Sequence, residues 1–178
     1  MSVALKEAAA VIVNGGVVLH ATEGVWGFAC APTCEAAVLK ILQMKQRSID
    51  KGLLLIGSEA AVFDTELRAH VLREDVLTSW PGPHTWVLPN SRFPLWVTGG
   101  RGTVACRVPG HRQARCLSKK VGGALVSTSA NRSGEAPAVD ELSAREQFEG
   151  EIDYVLSGQV SSPGQVSTIY DMNGEVIR

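Results

Sequence analysis

The chain has 178 residues, 45% of them hydrophobic and 20% charged, with a formal net charge of −1, so it can bury a substantial core. That near-even charge excludes nucleic-acid binding through a global field, and any such contact needs a local basic patch. No apolar run approaches the ~20 residues of a membrane span, and four cysteines without a CxxC pair, beside four scattered histidines, argue against a zinc cluster.

In chain order, Ser2 to Val13 reads as a helix stopped by Asn14-Gly15-Gly16. It lacks the basic start and unbroken apolar run of a signal peptide, and the cysteine usage fits free thiols in a reducing cytosol. A cytoplasmic protein is expected. Val17 to Ala21 is a strand leading into the loop Thr22-Glu23-Gly24. A second helix, with Thr33 as N-cap, places Val38, Ile41, Leu42 and Lys45 at helical spacing. Leu53 to Ile56 is a short apolar run of the kind a buried strand shows.

Further helices are predicted over 59–63, 67–78, 111–121 and 140–148, the last capped by Asp140. Further strands are predicted over 85–88, 103–108, 124–127, 153–156, 167–171 and 175–177. The alternation implies one α/β domain over residues 1–178: a twisted mixed sheet with flanking helices and its functional loops gathered at strand ends.

Two clusters stand out. Lys45-Gln46-Arg47 closes a predicted helix and Lys51 follows it. The helix macrodipole accounts for cations at a helix C-terminus, worth about 0.3–1 kcal/mol each, but Lys51 has no dipole to complement. A basic triplet at that junction points to a bound polyanion. Ser127-Thr128-Ser129-Ala130-Asn131 follows a buried strand, where small hydroxyls, an amide and backbone N–H groups can approach the same ligand. Ser, Asn and Gly also form ordinary turns, and only the position at a strand end favours a ligand here.

Thr103, Ala105 and Arg107 share one face of their strand. An arginine inside a sheet needs an anionic partner, which leaves a structural Asp or Glu and a ligand carboxylate or phosphate equally open. Trp80-Pro81-Gly82-Pro83 reads as a stiff architectural turn, with His84 a surface residue rather than a base. No Walker loop, GxGxxG or GxSxG elbow occurs. Ser48 to Lys51 and Ser129 to Asn131 mimic two parts of the penicillin-recognising set, but the Lys-Thr-Gly part is missing.

Taken together, six ordered segments resemble the YrdC/TsaC family of threonylcarbamoyl-AMP synthases. They are 21–27 (ATEGVWG), Lys45-Gln46-Arg47, 50–53 (DKGL), 79–83 (SWPGP), 105–109 (ACRVP) and 127–134 (STSANRSG). The resemblance implies a YrdC-like fold with a positively charged concave face, of the short single-domain type. It also implies a nucleotidyltransferase that condenses L-threonine, bicarbonate and ATP to threonylcarbamoyl-AMP and pyrophosphate. Other proteins would pass the threonylcarbamoyl group to the adenosine beside the anticodon of tRNA.

Carried over residue by residue, Thr22, Arg107, Ser129 and Ser167 contact threonine, the arginine through its carboxylate. Lys45, Arg47, Lys51, Thr103, Ser129, Asn131 and Arg178 line the ATP side, with Lys45, Arg47 and Lys51 as the phosphate clamp, Lys45 and Arg47 as its catalytic members, and Mg²⁺ arriving mainly through ATP. No metal site of the protein's own is expected. Ala21 and Gly24 depart from the family's PTE turn, which should loosen it, and Ile56 and Val139 stand where longer members carry polar contacts. The alternatives are a module that binds tRNA or double-stranded RNA on the basic face, and a domain that adenylates carbamoyl phosphate instead.

Overall fold

A computed structural model describes residues 2–177. Among these residues the chain builds one eight-stranded mixed sheet in the order β7-β1-β2-β6-β3-β5-β4-β8. The strands are β1 (Val18–Ala21), β2 (Trp26–Cys30), β3 (Leu54–Ile56), β4 (His84–Pro89), β5 (Thr103–Arg107), β6 (Leu125–Ser129), β7 (Tyr154–Leu156) and β8 (Thr168–Tyr170). The helices are α1 (Val3–Val13), α2 (Glu35–Met44), α3 (Asp64–Arg68), α4 (Arg73–Ser79), α5 (Leu95–Thr98), α6 (Arg112–Val121) and α7 (Glu141–Gln147). β3 runs parallel to β5 and antiparallel to β6, so the sheet is mixed, as the spacing of elements suggested.

Leu5, Ala8, Ala9 and Ile12 make one stripe of α1, because residues three and four apart share a helix face. With Ala114 and Leu117 of α6 they cover Val18, Ala29, Leu125, Ile56 and Leu156 on one face of the sheet. The larger core lies on the other face, where Phe28, Leu55, Leu88, Val104, Cys106 and Val126 meet α2 and the helices between β3 and β4. α1 and α6 reach only part of their face. Over β5, β4 and β8, and along part of β3, that face stays open, and a cavity occupies it.

Several expectations needed correction. β2 carried no signal, because a strand buried at every position shows no alternation. It nevertheless sits between β1 and β6, where Gly27 admits Thr128 O to 2.8 Å from the place a Cβ would take. The N-cap of α2 is Cys34 rather than Thr33, and no side chain caps it.

The helix expected over 67–78 breaks at residues 69–72, where His70 Nδ1 accepts from Leu72 N at 3.1 Å. Residues 60–63 form a 3₁₀ turn, and α5, at four residues, was too short to show a period. The last expected strand reduces to one bridge between Tyr170 and Val176. His84 is half-buried, its Nδ1 lying 3.3 Å from the Tyr170 hydroxyl.

Candidate active site

The cavity holds about 650 Å³, within the roughly 300–1,000 Å³ typical of small-molecule sites. Its wall comes from strands that alternate between core and cavity: Thr103, Ala105 and Arg107 of β5 line it and are half-buried, while Cys106 is buried behind. Among the described residues, Arg47, Lys51, Arg101 and Arg107 line it against a single carboxylate, Glu23.

The KxR segment divides at the end of α2. Gln46 takes a left-handed φ of 50°, Gln46 N donates to Gln43 O at 3.0 Å, and Arg47 N donates to Leu42 O at 2.9 Å. This paired closure is a Schellman cap, built here on a glutamine instead of a glycine. It turns Lys45 back under β6 and sends Arg47 forward into the cavity. Arg47 Nη2 then donates to Gly52 O at 3.0 Å.

Lys45 is 4% exposed, and its ammonium donates to Ser129 O, to Asn131 O at 3.0 Å and to Asn131 Oδ1 at 3.3 Å. Burial, then the nearby Arg47 charge, lowers its pKa from 10.5 to about 8. Ser133 N donates to Lys45 O at 2.8 Å, and Arg132 Nη1 donates to Met44 O at 3.0 Å. The two sequence clusters, far apart in the chain, are thus stapled to each other.

Asn131 is committed in the same way. Its Oδ1 accepts from Ser129 Oγ at 2.6 Å, and its Nδ2 donates to Arg132 O and Glu135 O at 3.0 and 2.8 Å. Lys45 and Asn131 therefore hold the turn that presents Ser129, and neither lines the cavity.

At the other end, Arg107 pairs with Glu23 and donates through Nε to Gly82 O at 3.0 Å. Glu23 Oε1 also accepts from Gly110 N at 2.6 Å, whereas Oε2 is buried with no hydrogen-bond partner among the described residues. Of the two partners open to Arg107 from the sequence, the internal carboxylate is present. The stiff turn around Gly82 has a second use, since its carbonyl aims the guanidinium.

Thr22 Oγ1 donates to Val25 O at 2.7 Å, and the buried Ser167 hydroxyl accepts from Thr85 Oγ1 at 2.9 Å. Residues 162–165 lie across the Thr22–Gly24 loop, with Ser162 N donating to Glu23 O at 2.7 Å and Gly164 N to Gly24 O at 2.9 Å. Gln165 O stands 1.7 Å from where a Cβ on Gly24 would be. Gly24 was expected to loosen this turn, but it lets the strap close on it.

Thr22, Arg47, Lys51, Thr103, Arg107, Ser129 and Ser167 are brought together in one wall, and Arg178 lies outside the described residues. Ile56 lines the cavity as an apolar floor. Sequence reasoning missed Arg101 and Glu23 as wall residues; an arginine among three glycines at 99–102 was the available signal. Among the described residues no group of three or more His, Cys, Asp or Glu could hold a metal, the four cysteines are free thiols, and no helix is long and apolar enough to cross a membrane.

Residues 10–178 match the Sua5/YciO/YrdC family model, described as "Telomere recombination". A Xanthomonas oryzae pv. oryzae (strain PXO99A) protein named threonylcarbamoyl-AMP synthase is 41% identical over 180 residues, covering 98% of this chain and 96% of its own. The crystal structure of P. abyssi Sua5 complexed with L-threonine superposes with a TM-score of 0.87 at 31% identity. It covers 98% of this chain and 53% of its own, so this chain spans about half of that protein. T. kodakarensis HypF shares the fold at a TM-score of 0.81 and 21% identity, over 94% of this chain and 22% of its own.

Proposed function

The chain belongs to the Sua5/YciO/YrdC family, and we propose that it is a threonylcarbamoyl-AMP synthase, condensing L-threonine, bicarbonate and ATP with release of pyrophosphate. The observation that carries this reading is the near full-length identity to a synthase of that name. The cavity supports it, with cations gathered around Gly52 at one end and the Glu23–Arg107 pair at the other. The reading takes residues 1–178 as one YrdC-like domain.

Threonine's amine and carbon dioxide form a carbamate without a protein nucleophile. A carbamate oxygen then attacks the α-phosphorus of ATP, the bond to the bridging oxygen breaks, and pyrophosphate leaves with that electron pair. Catalysis of such a transfer is chiefly positioning and charge stabilisation.

Arg107, oriented by Glu23 and Gly82 O, holds the threonine carboxylate through its guanidinium fork. Thr22, Ser129 and Ser167 offer hydroxyls around the amino acid. Arg47 and Lys51 hold the polyphosphate, with Thr103 beside them, and Lys45 and Asn131 act through the Ser129 turn. Among the described residues Glu23 is the one carboxylate in the wall and is already paired, so Mg²⁺ would enter on the phosphates of ATP rather than on protein ligands.

The product is a reactive mixed anhydride, consistent with downstream transferase proteins that carry the group to tRNA and with a cytoplasmic enzyme. The likeness to HypF extends to the fold alone and lends no weight to carbamoyl phosphate as the acceptor. The deciding experiment is pyrophosphate release from ATP and bicarbonate. Release that requires threonine is expected, whereas release driven by carbamoyl phosphate without threonine, or tight tRNA binding without ATP consumption, overturns the reading.

A further inference from the structure

Arg101 has no role so far, yet its surroundings are specific. α5 ends at Gly99, in the left-handed region with φ 66°, followed by Gly100 with φ 77°, Arg101, Gly102 and then β5. The start of this turn is pinned: a Cβ on Gly99 would lie 2.6 Å from Asp50 O, and Leu53 N donates to Val97 O at 2.8 Å. Its other glycines are free, since a Cβ on Gly100 or Gly102 would meet nothing within 4 Å.

The side chain leans back over Gly52. Arg101 Nη1 lies 3.3 Å from the place a Cβ on Gly52 would take and 3.4 Å from Thr98 O, a long hydrogen bond. Arg47 reaches the same residue from elsewhere, its Nη2 donating to Gly52 O. Lys51 immediately precedes it. Arg47 and Arg101 thus reach one glycine in the cavity wall from different segments, next to Lys51 in the chain, and no carboxylate pairs with Arg101 or Lys51 among the described residues. The one wall carboxylate among these residues, Glu23, is engaged with Arg107.

Arg101 and Lys51 both line the cavity and have no acidic partner among the described residues, so a polyanion bound there would gain their charge. A guanidinium on a glycine-rich turn, tethered by one long bond, can swing onto such a ligand at little cost to the fold. We propose that Arg101 is a further binding residue of the polyphosphate end, closing on the β- and γ-phosphates of ATP and holding pyrophosphate before it departs. The proposal rests on the synthase reading for the identity of the ligand but not for its charge.

Calorimetric titration of the full chain with inorganic pyrophosphate tests it, comparing wild type, Arg101→Gln and Arg101→Lys. Arg101→Gln should weaken pyrophosphate binding about tenfold or more, as loss of a charge-assisted contact does. Arg101→Lys should restore part of that loss, and binding of AMP should not change. In turnover, the KM for ATP should rise by a similar factor with the KM for threonine unmoved. Equal pyrophosphate affinity in wild type and Arg101→Gln, or no pyrophosphate binding by wild type, overturns the proposal. Arg101-dependent pyrophosphate binding in a protein that makes no threonylcarbamoyl-AMP would instead leave Arg101 in place and remove the synthase reading.

Discussion

Glu23, in the loop after β1, and Arg107, the last residue of β5, form an ion pair although β1 and β5 are separated in the sheet by β2, β6 and β3. The pair is largely buried, with side-chain exposures of 13% and 11%, and Glu23 Oε1 also takes the Gly110 amide. Removing the carboxylate charge leaves a guanidinium aimed, among the described residues, by the bond to Gly82 O alone. Glu23→Gln should therefore raise the KM for threonine by about tenfold, the equivalent of about 1.4 kcal/mol, with a smaller change in kcat. Arg107→Lys should not rescue Arg107→Ala, because an ammonium cannot make the planar fork. Initial rates against threonine concentration decide it, and an unchanged KM in Glu23→Gln would dismiss the orienting role.

Lys45 and Arg47, two residues apart, should fail differently. Lys45→Met leaves the carbonyls of Ser129 and Asn131 without a donor in a buried place, costing about 2–4 kcal/mol of stability. Arg47→Ala should lower kcat by roughly two orders of magnitude, as loss of one positioned charge donor commonly does, with a smaller effect on stability. Urea unfolding and turnover measured on both variants separate the two roles. A stable Lys45→Met protein lacking only turnover would return that lysine to the ligand.

His20 sits fully buried on β1, its Nδ1 3.0 Å from Ala21 O, and its Nε2 has no hydrogen-bond partner among the described residues. The neutral ring thus carries its proton on Nδ1. Burial, then the nearby His111 charge, lowers its pKa from 6.5 to about 4. Between those values the folded protein binds fewer protons than the unfolded chain. The stability this gives is complete above about pH 6.5 and is lost as the pH falls towards 4. At pH 5 the loss should be about 2 kcal/mol, and His20→Leu should flatten this part of the profile. Urea midpoints at pH 7 and pH 5 check it, and equal slopes in the two proteins would contradict it.

Gly24→Ala places a methyl group onto Gln165 O. The strap over 162–165 must lift, since the obstacle is backbone on both sides, and overpacking of this kind costs about 1–3 kcal/mol. Faster proteolysis within 160–166 and a higher KM for threonine are expected. A variant as resistant as wild type would show that the strap yields without opening.

How much of this was legible beforehand varies by element. α1 and α6 were readable because each buries one stripe and is closed by a turn, Gly15 at φ 85° and Gly122 at φ 90°. β5 was readable because its two faces meet different surroundings, cavity and core. β2 was not, because both its faces are buried and its side chains need not alternate. The ligand-side residues were visible as clusters of charge and hydroxyl, although residue type could not tell which of them face a ligand. Lys45 and Arg47 look equivalent in the chain, and a backbone reversal at Gln46 separates them.

What the sequence determined by itself was therefore the class of fold, the family and the ingredients of the cavity, since these follow from local periodicity and ordered motifs. Only the tertiary structure decided that Lys45 staples two motifs, that Glu23 already pairs with Arg107, and that Arg101 joins Arg47 beside Gly52. Each is a contact between residues far apart in the chain or split by a turn. Such contacts depend on how the sheet orders its strands, and no local pattern along the chain records that order.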